Sequence, residues 1–363
     1  MAKRVSVDKW LFTVVLLLVF IGLVMVFSSS AVMAKERFGS SYSFLLRQLG
    51  WAAAGIAAMV LVMNIDYKHY QRSTIVFTFL GLTSLLLVAV FLFHDSHNTH
   101  RWMKAGPLSF QPSELAKPAI ILYLAYFLAT RWQQISDWKH VLLPAAAPSL
   151  LLALLIVKEP DLGTAVACMA ITASVLYIAG MKMRYLAYSL LASLLPLYLL
   201  IVRVPWRWHR IMAFLDPWKD PQGHGFHIIQ SMIAVSTGGL VGAGLMEGKQ
   251  KLFYLPEPHT DFIYANIAEE LGIWGGAIVV ILFAIFLSRG IRVAMRTQDP
   301  FARFLATGIT AMVVVQALIN ISVVLGMMPT KGIPLPFISY GGSSLFITLA
   351  SVGVLLNISQ QTD

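Results

Sequence analysis

The chain has 363 residues, of which 58% are hydrophobic and only 12% are charged. Because soluble proteins carry about 25% charged residues, this composition excludes an ordinary soluble enzyme and indicates a membrane protein with many spans. The single cysteine, Cys168, excludes a disulfide framework and a cysteine-based metal site. The net charge of +10 fits nucleic acid, anionic lipid or an anionic ligand, and the positions of the basic residues decide among them.

Apolar runs of roughly 17–25 residues predict membrane-spanning helices. We predict about ten of them in an all-α polytopic fold, with residues 1–363 forming a single domain. The predicted spans are residues 10–32, 46–64, 73–93, 113–131, 141–158, 162–180, 185–203, 267–288, 303–325 and 341–358. The first run lacks a convincing small-residue cleavage site, so we expect it to remain as a span and not to be removed as a signal.

Lys and Arg in the short connections predict the orientation of the bundle. With the N-terminus inside, every inside connection contains Lys or Arg, beginning with Met1–Lys9 and ending with Ser288–Arg303, which contains four arginines. We therefore predict that both termini are cytoplasmic.

Basic residues on the opposite, outer face are not explained by this rule. Arg101, Arg207, Arg210, Lys251 and Lys331 belong to this group. Snorkelling of long side chains at helix ends is one explanation. A phosphate-bearing ligand bound from the outer leaflet is the other, because Arg and Lys are the usual partners of phosphate oxygens. Neither explanation involves nucleic acid, and we expect no nucleic-acid partner.

One long loop, about residues 204–266, is expected on the outer face. It interleaves tryptophans with Arg207 and Arg210, which is typical of chain that lies in the membrane interface. Within it we predict a short amphipathic or re-entrant helix at residues 226–237.

The end of this loop carries Glu257, His259 and Asp261 within five residues. Pro256 and Pro258 exclude a helix interior here, so the segment is predicted to be an ordered turn that leads into a span. Asp261 alone could be a helix cap worth about 1 kcal/mol. Three ionisable side chains at the mouth of a span instead favour a functional site. A lone His beside carboxylates is only a weak metal signal.

Two further outward-facing clusters lie at the starts of spans. Glu114 and Lys117 are three residues apart and could pair on one helix face, either structurally or as part of a site. Asp161, within Lys158–Thr164, is expected to cap the following helix.

The fourth cluster is the Pro- and Gly-rich segment Met328–Ser344, which contains Lys331, Ser339 and Ser343. Such a segment predicts non-helical chain at membrane depth, which is tolerated only where it is buried in protein or lines a cavity. Gln316 and Asn320, one turn apart in the preceding span, would add polar groups to the same interior, although a helix–helix hydrogen bond would explain them equally well.

These clusters, in this order and spacing, resemble the SEDS (shape, elongation, division and sporulation) family, whose members FtsW and RodA are polytopic peptidoglycan glycosyltransferases. The resemblance covers essentially the whole chain. It rests on Arg101-Trp102, Gln111–Lys117, Glu159–Thr164, Phe214–Pro217, Gln230-Ser231, His259–Ile263 and Gly332–Ser344. Tyr254–Asp261 and Pro329–Gly332 resemble FtsW, the division branch, more than RodA.

The resemblance implies polymerisation of lipid II at the outer face of the bacterial cytoplasmic (inner) membrane, for septal synthesis in cell division. It implies a class B penicillin-binding protein transpeptidase and other divisome proteins as partners, with lipid tails in grooves between the spans. Asp261 matches the family's essential acid and is expected to be the catalytic general base. The predicted substrate-binding residues are Arg101, Glu114, Lys117, Arg210, Glu257, His259, Lys331, Ser339 and Ser343. No metal ligands are assigned, although the leaving pyrophosphate leaves room for a divalent cation such as Mg or Mn.

Two other classes of function remain open from the residues alone. A lipid II flippase would use the same cations but would need no general base. A scaffold that activates a partner transpeptidase would tolerate loss of Asp261. An ion-coupled transporter is disfavoured, because the acidic residues collect at one face and form no path through the bilayer.

Overall fold

The computed structural model describes residues 7–93, 101–105, 108–252 and 254–361. The fold is almost entirely helical, as predicted. Ten helices coincide with the predicted spans: α1 (Lys9–Phe38), α2 (Ser43–Met63), α3 (Ser73–Ala89), α4 (Pro112–Ala129), α5 (Leu143–Lys158), α6 (Leu162–Ile178), α7 (Met183–Val202), α10 (Ile263–Arg296), α11 (Pro300–Val324) and α12 (Gly342–Ser359). The long loop holds α8 (Pro205–Leu215) and α9 (Phe226–Thr237), so the helix predicted at 226–237 is confirmed.

Eight helices in the described part of the chain are long and apolar enough to cross a bilayer. The two predicted spans outside this group are α4 and α6. The α6 helix has only 17 residues, and α4 carries Glu114 and Lys117 in its first two turns. Both helices bury most of their residues against neighbours. The count of ten therefore stays a prediction, although each predicted segment is helical.

A short hairpin departs from the all-helical expectation. β1 (Met103–Ala105) and β2 (Leu108–Phe110) pair antiparallel, with Met103 opposite Phe110. Strands of three residues are too short to give an alternating pattern that sequence could reveal. The hairpin leads directly into α4 and so holds the chain that follows Arg101.

The two ends of the bundle have different characters. At one end the chain termini meet: the Asp8 amide donates to Ser359 Oγ at 3.3 Å, and Arg289 pairs with Asp8 at 2.6 Å. The clustered polar residues lie at the opposite end. This arrangement agrees with the prediction that both termini share one side, while residues 1–6 of the basic N-terminal segment lie outside the described residues.

α11 lies at the centre and packs against α10, α4 and α6. Small residues allow close helix contacts elsewhere, as where Gly353 of α12 lies directly on the backbone of Met59 in α2. In contrast, α7 buries none of its 20 residues and stands at the edge of the bundle. The central position of α11 matters for the site, because it carries Gln316 and Asn320.

The α10 helix is broken at Gly272, which has φ 66° and ψ −165°. The loop residues 238–244 pack into the break and restore its backbone hydrogen bonds. Ala243 and Gly244 donate to the carbonyls of Glu269 and Glu270, each at 3.0 Å, and Ile273 donates to Gly239 O at 3.0 Å. The long loop is thus fastened to the first turns of α10, just after Asp261.

We expect Gly272→Ala to lower the thermal stability of the detergent-solubilised protein. Its backbone conformation is essentially restricted to glycine and costs about 1–3 kcal/mol for other residues. In addition, a Cβ there would lie 2.5 Å from the amide nitrogen of Gly242. The control is Gly81→Ala in α3, where a Cβ meets nothing within 4 Å and helix propensity favours alanine by about 0.5–1 kcal/mol. Equal melting temperatures for the two variants would show that the break in α10 does not require glycine at position 272.

Candidate functional site

A cavity of about 260 Å³ opens at the end of the bundle opposite the termini. Its apolar wall comes from α6, α7 and α11, including Leu197, Ile201 and Val323. Its charged lining consists of Arg101, Asp161, Arg207, Arg210 and Lys331. A mixed wall of this kind can hold an anionic group beside an apolar chain.

Asp261 lies at the edge of this cavity. Its carboxylate lies against Gly332, which lines the cavity, so closely that a Cβ on Gly332 would be 2.7 Å from Oδ2. Burial raises the pKa of Asp261 to about 7, with the negative charges of Glu257 and Asp161 adding to the effect and Arg210 and Arg101 opposing it. A carboxyl group with this pKa can accept a proton near neutral pH.

Helix capping does not explain the presence of an aspartate at position 261. The N-cap position of α10 belongs to Phe262, and no side chain of the described residues caps this helix. The backbone of Asp261 is instead held from α11, because Asn320 Nδ2 donates to Asp261 O at 2.8 Å and to Ile333 O at 2.7 Å. One amide group therefore joins the loop that carries Asp261 to the segment that carries Lys331.

Lys331 crosses over the start of α6. A Cβ on Gly163 would lie 2.6 Å from Lys331 Cε, so only glycine leaves room for this path. Burial lowers the pKa of Lys331 to about 8; the carboxylate of Asp161 opposes this shift, and Arg210, Arg207 and Arg101 reinforce it. The ammonium group is therefore held among other cations, where an anionic ligand would be favoured.

Arg101 is anchored by the turn between α5 and α6. Its Nε donates to Glu159 O at 3.1 Å, and its guanidinium also bonds to Pro160 O. The Glu159 side chain is fully buried, and neither carboxylate oxygen has a hydrogen-bond partner among the described residues. Burial raises the pKa of Glu159 to about 9, so this group does not offset the positive charge of Arg101 at pH 7.

Asp161 combines two roles. Its carboxylate accepts from the Thr164 amide at 3.1 Å and from Thr164 Oγ1 at 2.7 Å, so the predicted cap of α6 is confirmed. It also lines the cavity, which its sequence context did not reveal. Arg207 is the other charged residue of the lining that lies outside the predicted substrate-binding set. Its i, i+3 spacing from Arg210, on one face of α8, is the sequence signal that could have identified it.

Glu114 and Lys117 form the predicted ion pair, with both side chains buried and 2.9 Å between Nζ and Oε2. Lys117 also donates to Gln316 Oε1 at 2.7 Å, and Gln316 Nε2 donates to Pro334 O at 2.9 Å. Neither member of the pair is among the residues that line the cavity. The pair supports the Lys331 segment from behind, and direct contact of Lys117 with a ligand stays a prediction.

Four other predicted substrate-binding residues also lie away from the cavity lining. His259 is buried against Phe44 and Tyr340, and its Nε2 lies 4.0 Å from the exposed Glu257. Ser339 Oγ donates to Thr260 O at 2.5 Å and accepts from the Leu335 amide at 2.8 Å. Ser343 is buried within α12. The structure shows His259 and Ser339 holding the two loops together, and the binding roles of all four stay predictions.

Glu269 and Glu270 are buried in the bundle interior, as their cost in lipid predicts. Glu269 accepts from the Lys249 amide at 2.7 Å. Glu270 accepts from Lys251 Nζ at 2.7 Å and from Ser28 Oγ. These contacts clamp the loop after α9 onto α10 and α1, and they show that Lys251 belongs to a structural ion pair and not to the cavity.

Comparison with known proteins gives a consistent result. The family model FTSW_RODA_SPOVE, described as a cell cycle protein, matches residues 8–363. A probable peptidoglycan glycosyltransferase FtsW from Geobacter metallireducens is 43% identical over 339 residues, covering 93% of this chain and 90% of the relative. Stage V sporulation protein E from Bacillus subtilis is 42% identical, covering 99% of this chain and 98% of the relative.

Two solved structures share the fold over 98% of both chains. One, described as structural coordination of polymerization and crosslinking by a peptidoglycan synthase complex, has a TM-score of 0.80 at 29% identity. The crystal structure of the Thermus thermophilus rod shape determining protein RodA has a TM-score of 0.72 at 26% identity. With a family model that spans residues 8–363, the chain belongs to the FtsW/RodA/SpoVE family of cell cycle proteins.

Proposed function

We propose that this protein is a peptidoglycan glycosyltransferase that polymerises lipid II, with Asp261 as the general base. The observation that carries the proposal is the placement of Asp261, with a pKa of about 7, at the edge of a cavity lined by four cations. The names of its relatives support a glycosyltransferase. We further propose septal synthesis in cell division, since several relatives are named FtsW.

In the proposed reaction the 4-hydroxyl of the acceptor's GlcNAc attacks the anomeric carbon of a lipid-linked donor. A bond forms between the hydroxyl oxygen and that carbon, while the bond from the carbon to the pyrophosphate oxygen breaks. The hydroxyl proton passes to the carboxylate of Asp261, and the electron pair of the broken bond leaves with undecaprenyl pyrophosphate. A positioned base of matched pKa contributes about 10²–10⁴-fold to such a step.

The leaving pyrophosphate is matched by Arg101, Arg207, Arg210 and Lys331. Cations that are already in place stabilise charge as it develops, and they do so more strongly in a cavity than in water. The apolar wall formed by α7 and α11 continues from these cations and suits the first isoprene units. The pyrophosphate and the first isoprene units of the donor would therefore share one cavity, which adjoins Asp261.

A divalent cation would be compatible with this arrangement. The described residues contain no group of three His, Cys, Asp or Glu side chains suited to a metal, but magnesium commonly binds through one or two carboxylates together with substrate phosphates. Asp161 is the carboxylate of the cavity lining that would hold such an ion, which would leave Asp261 free to act as the base. When bound, it would neutralise phosphate charge.

We also propose that the cavity faces the outside of the cytoplasmic membrane and that a class B penicillin-binding protein is the partner. The first proposal rests on the arginines at the opposite end of the bundle, since basic residues favour the cytoplasm. The second is supported by the similarity to a structure from a peptidoglycan synthase complex.

We expect Asp261→Asn to reduce polymerisation of fluorescent lipid II by about 10²–10⁴-fold, because the variant cannot accept the proton. The measurement compares purified full-length protein with and without a cognate transpeptidase. Glu247→Gln is the matched control, since this carboxylate is exposed on the same long loop. Undiminished glycan product from a folded Asp261→Asn would refute the role of the base. Lipid II translocation by the wild-type protein without any polymer would instead favour a flippase, and partner activation without polymer a scaffold.

The pH dependence of kcat/KM should show a maximum between about pH 7 and pH 8. Below pH 7 the Asp261 carboxyl becomes protonated and can no longer act as a base. Above pH 8 Lys331 loses its proton and its charge. Lys331→Arg should keep the charge and shift the alkaline limb to higher pH, since arginine stays protonated in proteins. An alkaline limb that is unmoved in this variant would exclude Lys331 as its origin.

We expect Lys331→Gln to lower kcat by about 10²–10³-fold, more than it changes KM, because the lost charge acts mainly on the leaving group. Lys219→Gln serves as the control, since Lys219 is exposed and lies outside the cavity lining. Steady-state kinetics with lipid II measure both constants. A change confined to KM would show that Lys331 only binds substrate.

A further inference from the structure

A second groove, of about 580 Å³, lies at the end of the bundle that holds the chain termini. It runs along the outward face of α11 between α6 and α10. Leu287 and Ile291 of α10, with Val314 and Val315 of α11, give it an apolar floor and wall. This groove is separate from the candidate catalytic cavity, since none of the described residues lines both.

Arg303 lies at the rim of the groove and is only partly satisfied. Its Nη2 donates to Thr297 O at 3.2 Å. Its Nε is buried and has no hydrogen-bond partner in the described part of the chain. Arginines that merely snorkel extend their head groups into water, whereas this guanidinium is half-buried beside an apolar groove. A buried N–H without a partner is costly, so the geometry favours an anionic oxygen at this point.

The charges at this end of the bundle also favour an anionic ligand. Arg289 is neutralised by Asp8 at 2.6 Å. Arg292 and Arg296, on the last turns of α10, are exposed, and no ion pair involving either is found among the described residues. Neither residue lines the groove, so they add only diffuse positive charge at this end of the bundle. Arg303 is the one charged residue in the described lining, with no carboxylate beside it, and basic pockets between membrane helices on the cytoplasmic side are suited to anionic lipid head groups.

We propose that this groove binds an anionic glycerophospholipid of the adjacent leaflet. Its phosphate accepts hydrogen bonds from Arg303, and one acyl chain lies along the apolar residues of α10 and α11. The lining residues of α11 run from Arg303 to Val315, about 18 Å along the helix at 1.5 Å per residue, which suits an extended acyl chain. The same groove could instead receive the tail of a polyprenyl phosphate or a partner's helix, and the test below separates these occupants.

The experiment measures lipid retention by native mass spectrometry of the full-length protein, titrated with phosphatidylglycerol, phosphatidylcholine or undecaprenyl phosphate. For Arg303→Gln we expect phosphatidylglycerol affinity to fall about fivefold, the effect of roughly one basic residue at a membrane surface. Phosphatidylcholine binding should stay unchanged. The matched control is Arg292→Gln, which removes an exposed arginine from the same end without altering the groove lining.

A second variant tests the apolar part and guards against misfolding of the first. Ala311→Phe places a ring in the groove while leaving Arg303 in place, and it should also weaken phosphatidylglycerol binding at least about fivefold. Equal losses in the Arg303→Gln and Arg292→Gln variants would overturn the proposal in favour of diffuse surface charge. Unchanged phosphatidylglycerol binding in Ala311→Phe would also overturn the proposal. The same holds if the wild-type protein prefers undecaprenyl phosphate and Ala311→Phe abolishes that preference. Purification with a bound partner helix in place of lipid would overturn it as well.

Discussion

The side-chain amide of Asn320 is the contact on which the rest of the site depends. From the central helix α11 it donates both to Asp261 O and to Ile333 O. These carbonyls belong to two non-helical segments that have no regular structure to hold them in register. One turn earlier on α11, the Gln316 side chain makes a similar link: it accepts a hydrogen bond from Lys117 and donates one to Pro334 O. Irregular chain at membrane depth is stable only where such polar partners are supplied from within the protein.

A buried acidic pair performs the same task for the long loop. Glu269 and Glu270 sit on the first turns of α10 and accept hydrogen bonds from the loop backbone and from Lys251. The opening of the helix at Gly272 exposes carbonyls that the loop then satisfies. Asp261 is therefore fixed in two ways. Asn320 holds its backbone carbonyl, and the long loop holds the first turns of α10 that follow it. The proposed role of Asp261 as a base toward a sugar hydroxyl requires this degree of positioning.

The electrostatics of the cavity follow from the same crowding. Burial raises the pKa of Asp261 to about 7 and lowers that of Lys331 to about 8. The two groups therefore gain or lose their protons in the same range of pH. With Glu159 neutral, Arg101 has no ion-pair partner among the described residues, so the cavity keeps the excess of positive charge that the proposed phosphate ligand requires. The second groove, at Arg303, has a similar combination of a cation and an apolar wall, with no carboxylate in its described lining, which suits the proposed lipid that is held and not converted.

The sequence by itself determined the class of fold and the helical segments, and it singled out Asp261 as the candidate base. These features depend on residues that are close together in the chain, so the sequence reveals them. Examples are the long apolar runs, the two prolines before Asp261 and the spacing of Glu114 and Lys117. Which side chains share the cavity was decided only by the tertiary structure. Asp161 and Arg207 enter the lining, while His259, Ser339 and Lys117 turn away into packing and support, because helix packing sets the direction of each side chain. Contacts between residues far apart in the chain, such as that of Arg101 with the Glu159 carbonyl 58 positions away or of Lys331 with Gly163 about 170 positions away, leave no pattern along the chain.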